Sequence, residues 1–215
     1  MLDPGLIARA PYAGLAAASG AGAGVVAADR DGLGLATVAV RRGQGEALAR
    51  KIRDRYGIAL PLGGYRSEAG GVAFAGTGPE TWLAAQERGG NSFAVSLGEE
   101  IGAAASVSDQ SDGYAVLRLT GPKLRETLGK MVPLDMHPRA FPVGAVASTV
   151  AMHIGATLWR LDDGPGAVPV FEIAVFRSLA GSFWHALSES SAEFGLIVSG
   201  AGGAPEAERH RAAHP

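Results

Sequence analysis

The chain has 215 residues, 47% of them hydrophobic and 19% charged, with a formal net charge of −2 and no cysteine. That length and apolar fraction suffice for one large domain or two small ones. The charge balance offers no basic face to nucleic acid, and the missing cysteines exclude disulfides, thiolate nucleophiles and zinc–thiolate sites.

Residues 1–32 are rich in Ala, Gly and Pro, and "AAASGAGAGVVAADRDG" has neither helical nor strand rhythm. They are expected to form a flexible arm. The early Asp3, Pro4 and Pro11 do not resemble a signal peptide, and no stretch approaches the ~20 apolar residues of a membrane span. No membrane partner is therefore expected, and the expected location is cytoplasmic. Gly22, Gly24 and Ala27 fit G-x-G-x-x-A, but a dinucleotide site needs a buried strand before the pattern and a helix after it. Neither flanks it in the sequence.

Residues 33–199 read as an α+β domain in two similar halves, about 33–107 and 108–199, built from four strand-then-helix units. The first is "LGLATVAVR" followed by a helix with Leu48, Ile52 and Tyr56 on one stripe and Gly57 as its stop. The second is the strand 72–77 and a helix opened by Pro79. The third is "YAVLRLT" and a helix opened by Pro122, with Leu124, Leu128 and Met131 at helical spacing. The fourth is "FEIAVFR" and a helix carrying Phe183, Leu187, Ser190 and Phe194, ended by Gly195. "STVAMHIGATLWRL" reads as a hairpin turning at Gly155, and 99–107 as a weaker strand. Short loops and alternating strands and helices favour sheets covered by helices over a doubly wound sheet. The tail, 200–215, is expected to be mobile.

Thr77-Gly78-Pro79 and Thr120-Gly121-Pro122 repeat one corner, which suggests a duplicated unit. Pro and Gly at a strand-to-helix corner serve turn geometry as readily as anion binding. Lys123 at one corner and Glu80 at the other oppose each other in sign, so the two are expected to be helix starters rather than ligand loops.

Few residues suggest chemistry. Asp109, Ser111 and Asp112 resemble a catalytic cluster, but Asp-Gly before a strand is also a turn. His137, His153, His185, His210 and His214 show no metal-pair spacing, and His153 is expected on the less apolar face of its strand. Arg177 continues the face of Phe171, Ile173 and Val175, where a guanidinium wants a carboxylate or a partner subunit. Trp159 and Trp184 read as core or interface anchors. Arg177, Trp184, Trp159 and His153 are therefore candidate interface or structural residues, with no catalytic, cofactor or metal residue assigned.

Three stretches carry a family resemblance: "SDQSDGYAVLRLTGPKLRETLGKM", "LDMHPRAFPVGAVAST" and "FRSLAGSFWHAL". From residue 107 onward the chain resembles the gamma subunit family of heterotetrameric sarcosine oxidase, with looser agreement before that. The resemblance implies the folate-binding, aminomethyltransferase-like fold of the glycine cleavage T protein. It also implies a gamma subunit without catalytic activity of its own. The expected partners are the alpha, beta and delta subunits, which carry FAD, FMN, NAD and zinc. The complex would demethylate sarcosine oxidatively to glycine and pass the one-carbon unit to tetrahydrofolate. Two alternatives stay open. One is a free-standing folate-binding or aminomethyl-transfer protein, for which Asp109, Asp112 and Glu172 are the acidic candidates. The other is the matching subunit of another N-methyl amino acid dehydrogenase.

Overall fold

The computed structural model describes residues 10–13 and 24–199. Strand β1 (Val25–Asp29) is followed by a βαβββαβ unit: β2 (Gly34–Val40), α1 (Gly45–Tyr56), β3 (Arg66–Ala69), β4 (Val72–Gly78), β5 (Thr81–Gln86), α2 (Ser92–Ile101) and β6 (Ala105–Asp109). The same order then repeats: β7 (Tyr114–Thr120), α3 (Leu124–Met131), β8 (Val146–Ala151), β9 (Ile154–Arg160), β10 (Val170–Phe176), α4 (Ala180–Ser191) and β11 (Leu196–Val198).

The sheets confirm the repeat. One has the order β3-β4-β5-β2-β6 and the other β8-β9-β10-β7-β1-β11. The second is the first with β1 inserted before its last strand. β6 runs antiparallel to β2, and β11, parallel to β1, runs antiparallel to β7 in the same way. The fold is thus α+β with two pseudo-symmetric halves.

Strand alternation sorts the core into three layers. Ala36, Val38, Val72 and Phe74 face α1 and α2, meeting Leu48, Ile52, Phe93 and Leu97. Leu117, Leu119, Phe171 and Ile173 face α3 and α4, meeting Leu124, Leu128, Phe183 and Leu187. The intervening strand residues Leu35, Ala75, Leu83, Val116, Trp159 and Ala174 turn inward and pack sheet against sheet. At ~25 cal/mol per Å2 of apolar area, these three buried layers dominate the stability of the fold.

Several expectations hold locally. α1 stops at Gly57, whose left-handed φ of 69° lets its N–H reach Arg53 O at 2.8 Å. Leu124, Leu128 and Met131 are all buried on α3.

Others are corrected. Pro79 opens no helix: Pro79 and Glu80 turn β4 into β5, and Trp82 and Leu83 lie on a strand. Hydrogen bonding of this segment to both β4 and β2 satisfies its backbone more completely than a short helix would. The β8–β9 hairpin turns at Met152 and His153, with Met152 at φ 57°, and Gly155 is paired inside β9. Residues 99–101 end α2, and the strand begins at Ala105. Within the expected arm, Val25–Asp29 is an inner strand and Tyr12 is buried against Trp184. Apolar rhythm is weak there because β1 takes ladder partners from β7 and β11 on both sides, burying Val25 and Ala27. Residues 1–9, 14–23 and the expected tail 200–215 lie outside the described residues.

Candidate functional site

The two Thr-Gly-Pro corners are not equivalents. The repeat sets β2–α1 against β7–α3, so the counterpart of Thr120–Pro122 is the Arg41–Gly43 connection. Gly121 has φ 136°, and a Cβ on it would lie 2.2 Å from Gly24 O. The Lys123 N–H donates to that same Gly24 carbonyl at 3.0 Å. This corner is therefore shaped to let the start of β1 pass close by, and one donor at the head of α3 is already committed. The Lys123 ammonium pairs with Glu126 at 3.0 Å.

Asp109, Ser111 and Asp112 form a turn. The Ser111 N–H and hydroxyl both donate to Asp109 Oδ1, at 2.9 and 2.7 Å, and Ser111 Oγ accepts from Leu35 N–H at 3.1 Å. Asp112 accepts from the Asn91 side chain at 3.0 Å. The trio stitches the end of β6 to β2 and to the start of α2.

Of the four candidate side chains, Trp159 and Trp184 are buried inside the chain, and His153 is exposed in the hairpin turn. The expected sorting of the β8 faces is reversed toward its end: Val150 and Met152 are exposed, whereas Ala151 is buried. Arg177 lies just past β10, half-buried, and its charge favours the ionised form of Asp29. Burial and the neighbouring Asp31 nevertheless hold the Asp29 carboxyl above its ordinary range, against the Tyr12 N–H, Arg177 and the Arg30 N–H.

The most concentrated polar chemistry is elsewhere, in the layer between the sheets. Glu172 on β10 is paired across the ladder with Arg118 on β7 and Trp159 on β9. One carboxylate oxygen accepts from Arg30 Nε at 2.8 Å and Arg118 Nε at 2.9 Å; the other accepts from Trp159 Nε1 at 2.8 Å. Arg30 also pairs with Glu87 of the first half. Glu172 is only 4% exposed, so a carboxylate there needs these partners. Beside the cluster, Ala73, Ala75 and Ala85 floor a cleft of about 40 Å3, rimmed by Arg66, Glu68 and Glu87. Glu172, one of the acidic candidates from the sequence, thus lines a cleft, and both its oxygens serve internal pairs.

Glu172 and Trp159 are candidates from the sequence, and Arg30 and Arg118 are not. The signal was present: Arg118 in "LRL" and Glu172 in "FEI" are single charges flanked by apolar strand residues. Only the register shows that they face each other.

Residues 42–193 match the model of the family "Sarcosine oxidase, gamma subunit family". The chain belongs to this family. The sarcosine oxidase subunit gamma of Corynebacterium sp. (strain P-1) is 33% identical over 131 residues, 59% of this chain and 63% of that relative's length. Heterotetrameric sarcosine oxidase from Corynebacterium sp. U-96, solved in complex with pyrrole 2-carboxylate, contains a chain that superposes with a TM-score of 0.73 at 29% identity. That match covers 87% of this gamma-family chain and 96% of the other. Aminomethyltransferase T of the glycine cleavage system from Bartonella henselae superposes at a TM-score of 0.60 and 14% identity, covering 82% of this chain and 48% of that one. At that identity the likeness is one of fold, and it matches the expected aminomethyltransferase-like architecture.

Proposed function

We propose that the chain is the gamma subunit of a sarcosine-oxidase-type heterotetramer, assembled in the cytoplasm with alpha, beta and delta subunits. The observation that carries this reading is the superposition on 96% of a chain from heterotetrameric sarcosine oxidase. The complex would oxidatively demethylate sarcosine to glycine and hand the one-carbon unit to tetrahydrofolate. FAD, FMN, NAD and zinc would sit in the partner subunits. This chain's part is structural: the Glu172 cluster fixes one sheet against the other, and the outer surface meets the partners.

Among the described residues no helix is long and apolar enough to cross a membrane, and no group of three or more His, Asp or Glu converges as metal ligands. Co-expression with the three partner subunits tests the reading. This chain should co-purify in equal amount with each, and its omission should lower the yield of assembled enzyme active on sarcosine. Elution of the chain alone, with tetrahydrofolate bound to it, would favour the free-standing folate protein instead. Activity of the complete assembly on N-methylglutamate but not sarcosine would point to the related dehydrogenase.

A further inference from the structure

One strip of exposed surface is drawn from two segments without charge. Between Arg55 and Arg66, and again between Arg139 and Arg160, the sequence contains no Asp, Glu, Lys or Arg. The fold joins these two segments. The Arg66 N–H donates to Gly144 O and the Val146 N–H to Gly64 O, each at 2.8 Å, and Tyr65 is bridged to Ala145. The Ser148 hydroxyl donates to Thr77 O at 3.3 Å, carrying the seam on to the β4–β5 turn.

Along this seam Leu62 is 82% exposed, Tyr65 53%, Val143 46%, Val150 47% and Met152 49%. Single exposed apolar side chains are ordinary. Five on two hydrogen-bonded, uncharged segments match the core of a protein interface, where charge is depleted. β8 is moreover an edge strand whose sequence, VASTVA, has no lysine, proline or bulge to discourage association.

We propose that this seam is the surface on which a different subunit of the complex docks, through an uncharged and largely apolar face of its own. The proposal rests on reading the chain as a gamma subunit. Two observations select the occupant. A charged face would strand its ions against segments that carry no counter-charge. A second copy adding its own β8 strand would find too little open edge. The Val146 and Met152 N–H groups are already bound to Gly64 O and Met131 O, leaving only the outward backbone of Ser148 and Val150 between them.

The test uses the full chain co-expressed with its partner subunits. Leu62→Asp and Val150→Asp alter exposed side chains, so each chain should keep its thermal midpoint. Each should nevertheless weaken assembly at least ~10-fold, as expected for a charge placed in an interface core. Val95→Asp, on the 63%-exposed Val95 of α2, should assemble as wild type does. A photo-crosslinker replacing Tyr65 should capture another subunit in the assembled complex. Wild-type assembly with both seam variants unimpaired, or no capture from position 65, overturns the seam while leaving the subunit reading intact. Failure of the wild-type chain to assemble overturns the subunit reading itself. An isolated chain that sediments as a dimer, and is made monomeric by Leu62→Asp, would make a second copy the occupant and overturn the proposal.

Discussion

Replacing Glu172 with alanine tests whether the inter-sheet cluster holds the halves together. The change leaves the Trp159 indole N–H, on a residue 3% exposed, without an acceptor, at about 1–3 kcal/mol for a buried orphan donor. Arg30 keeps Glu87, and Arg118, with 39% of its side chain exposed, turns to water, so the loss of their ion pairs adds only ~1 kcal/mol. The expected total is about 2–4 kcal/mol, below the ~3–5 of a fully buried pair broken by removing one partner. For a chain of this size that lowers Tm by roughly 5–15 °C. Urea unfolding of the full chain should show a lower midpoint at unchanged slope. Pairing Glu172→Ala with Trp159→Phe, which removes the indole donor, should recover ~1–2 kcal/mol of coupling energy. A loss below ~1 kcal/mol for Glu172→Ala, or no coupling to Trp159, would refute the assignment, because the cluster would then be ornamental to stability.

The other expectations follow from geometry. Gly121→Ala forces a Cβ against Gly24 O at φ 136° and should cost about 2–4 kcal/mol, whereas Gly78→Ala, with nothing within 4 Å, should stay within ~0.5 kcal/mol; thermal melts of the pair distinguish the two corners. Leu128→Ala, fully buried on α3, should cost about 2–5 kcal/mol by the same assay, and Lys123→Ala, an exposed pair with Glu126, no more than ~1 kcal/mol. Burial lifts the Tyr12 and Tyr56 phenols above the ordinary ~10, Tyr56 also through its 2.7 Å hydrogen bond to Glu100. The folded state therefore holds these protons more tightly. Their stabilisation is fully present below pH ~10 and falls as pH rises past it, by at most ~1.4 kcal/mol per unit and less for half-exposed Tyr56. Tyr12→Phe should flatten that fall in melts taken between pH 9 and 11.

Legibility from sequence followed the source of each element's stability. α1, α3 and α4 announce themselves because their stripes are local: Leu48 and Ile52, Leu124 and Leu128, Phe183 and Leu187 each recur at helical spacing and face one layer. The segment after Pro79 misleads because Trp82 and Leu83 are equally at home on a strand, and what makes it one is pairing with β2, over 40 residues away in sequence. A Gly-Pro before an apolar pair is punctuation in either case. The Glu172 cluster was invisible for a related reason. Each member is an isolated polar residue in its own segment, and only cross-strand register turns Arg118, Trp159 and Glu172 into neighbours. The repeat itself was partly legible, but the recurring Thr-Gly-Pro aligned the wrong units. The true counterparts, Arg41–Gly43 and Thr120–Pro122, share a place in the fold and almost no sequence.

The difference between the halves comes down to β1. In the first half β2 pairs directly with β6, whereas in the second β1 enters between β7 and β11. Its arrival brings Gly24 against the corner after β7, which is why that corner needs a glycine at φ 136° while its counterpart, Gly43 at φ 74°, has nothing within 4 Å of its missing Cβ. Leaving β1, the chain reaches Arg30, which grips Glu87 of the first half and Glu172 of the second. The stretch with the weakest local signal thus supplies both an inner strand and the guanidinium that spans the sheets. A short segment of small apolar residues can carry that role because ladder partners on both sides complete its hydrogen bonds and cover Val25 and Ala27. The same logic separates the surfaces: Arg30 and Glu172 meet in the layer between the sheets, where an ion pair can be completed within the chain. The seam through Leu62 and Val150 lies on segments free of Asp, Glu, Lys and Arg, and on the docking proposal another chain completes it. On that proposal stability and assembly are carried by different residues, and substitutions at Glu172 and at Leu62 should separate them.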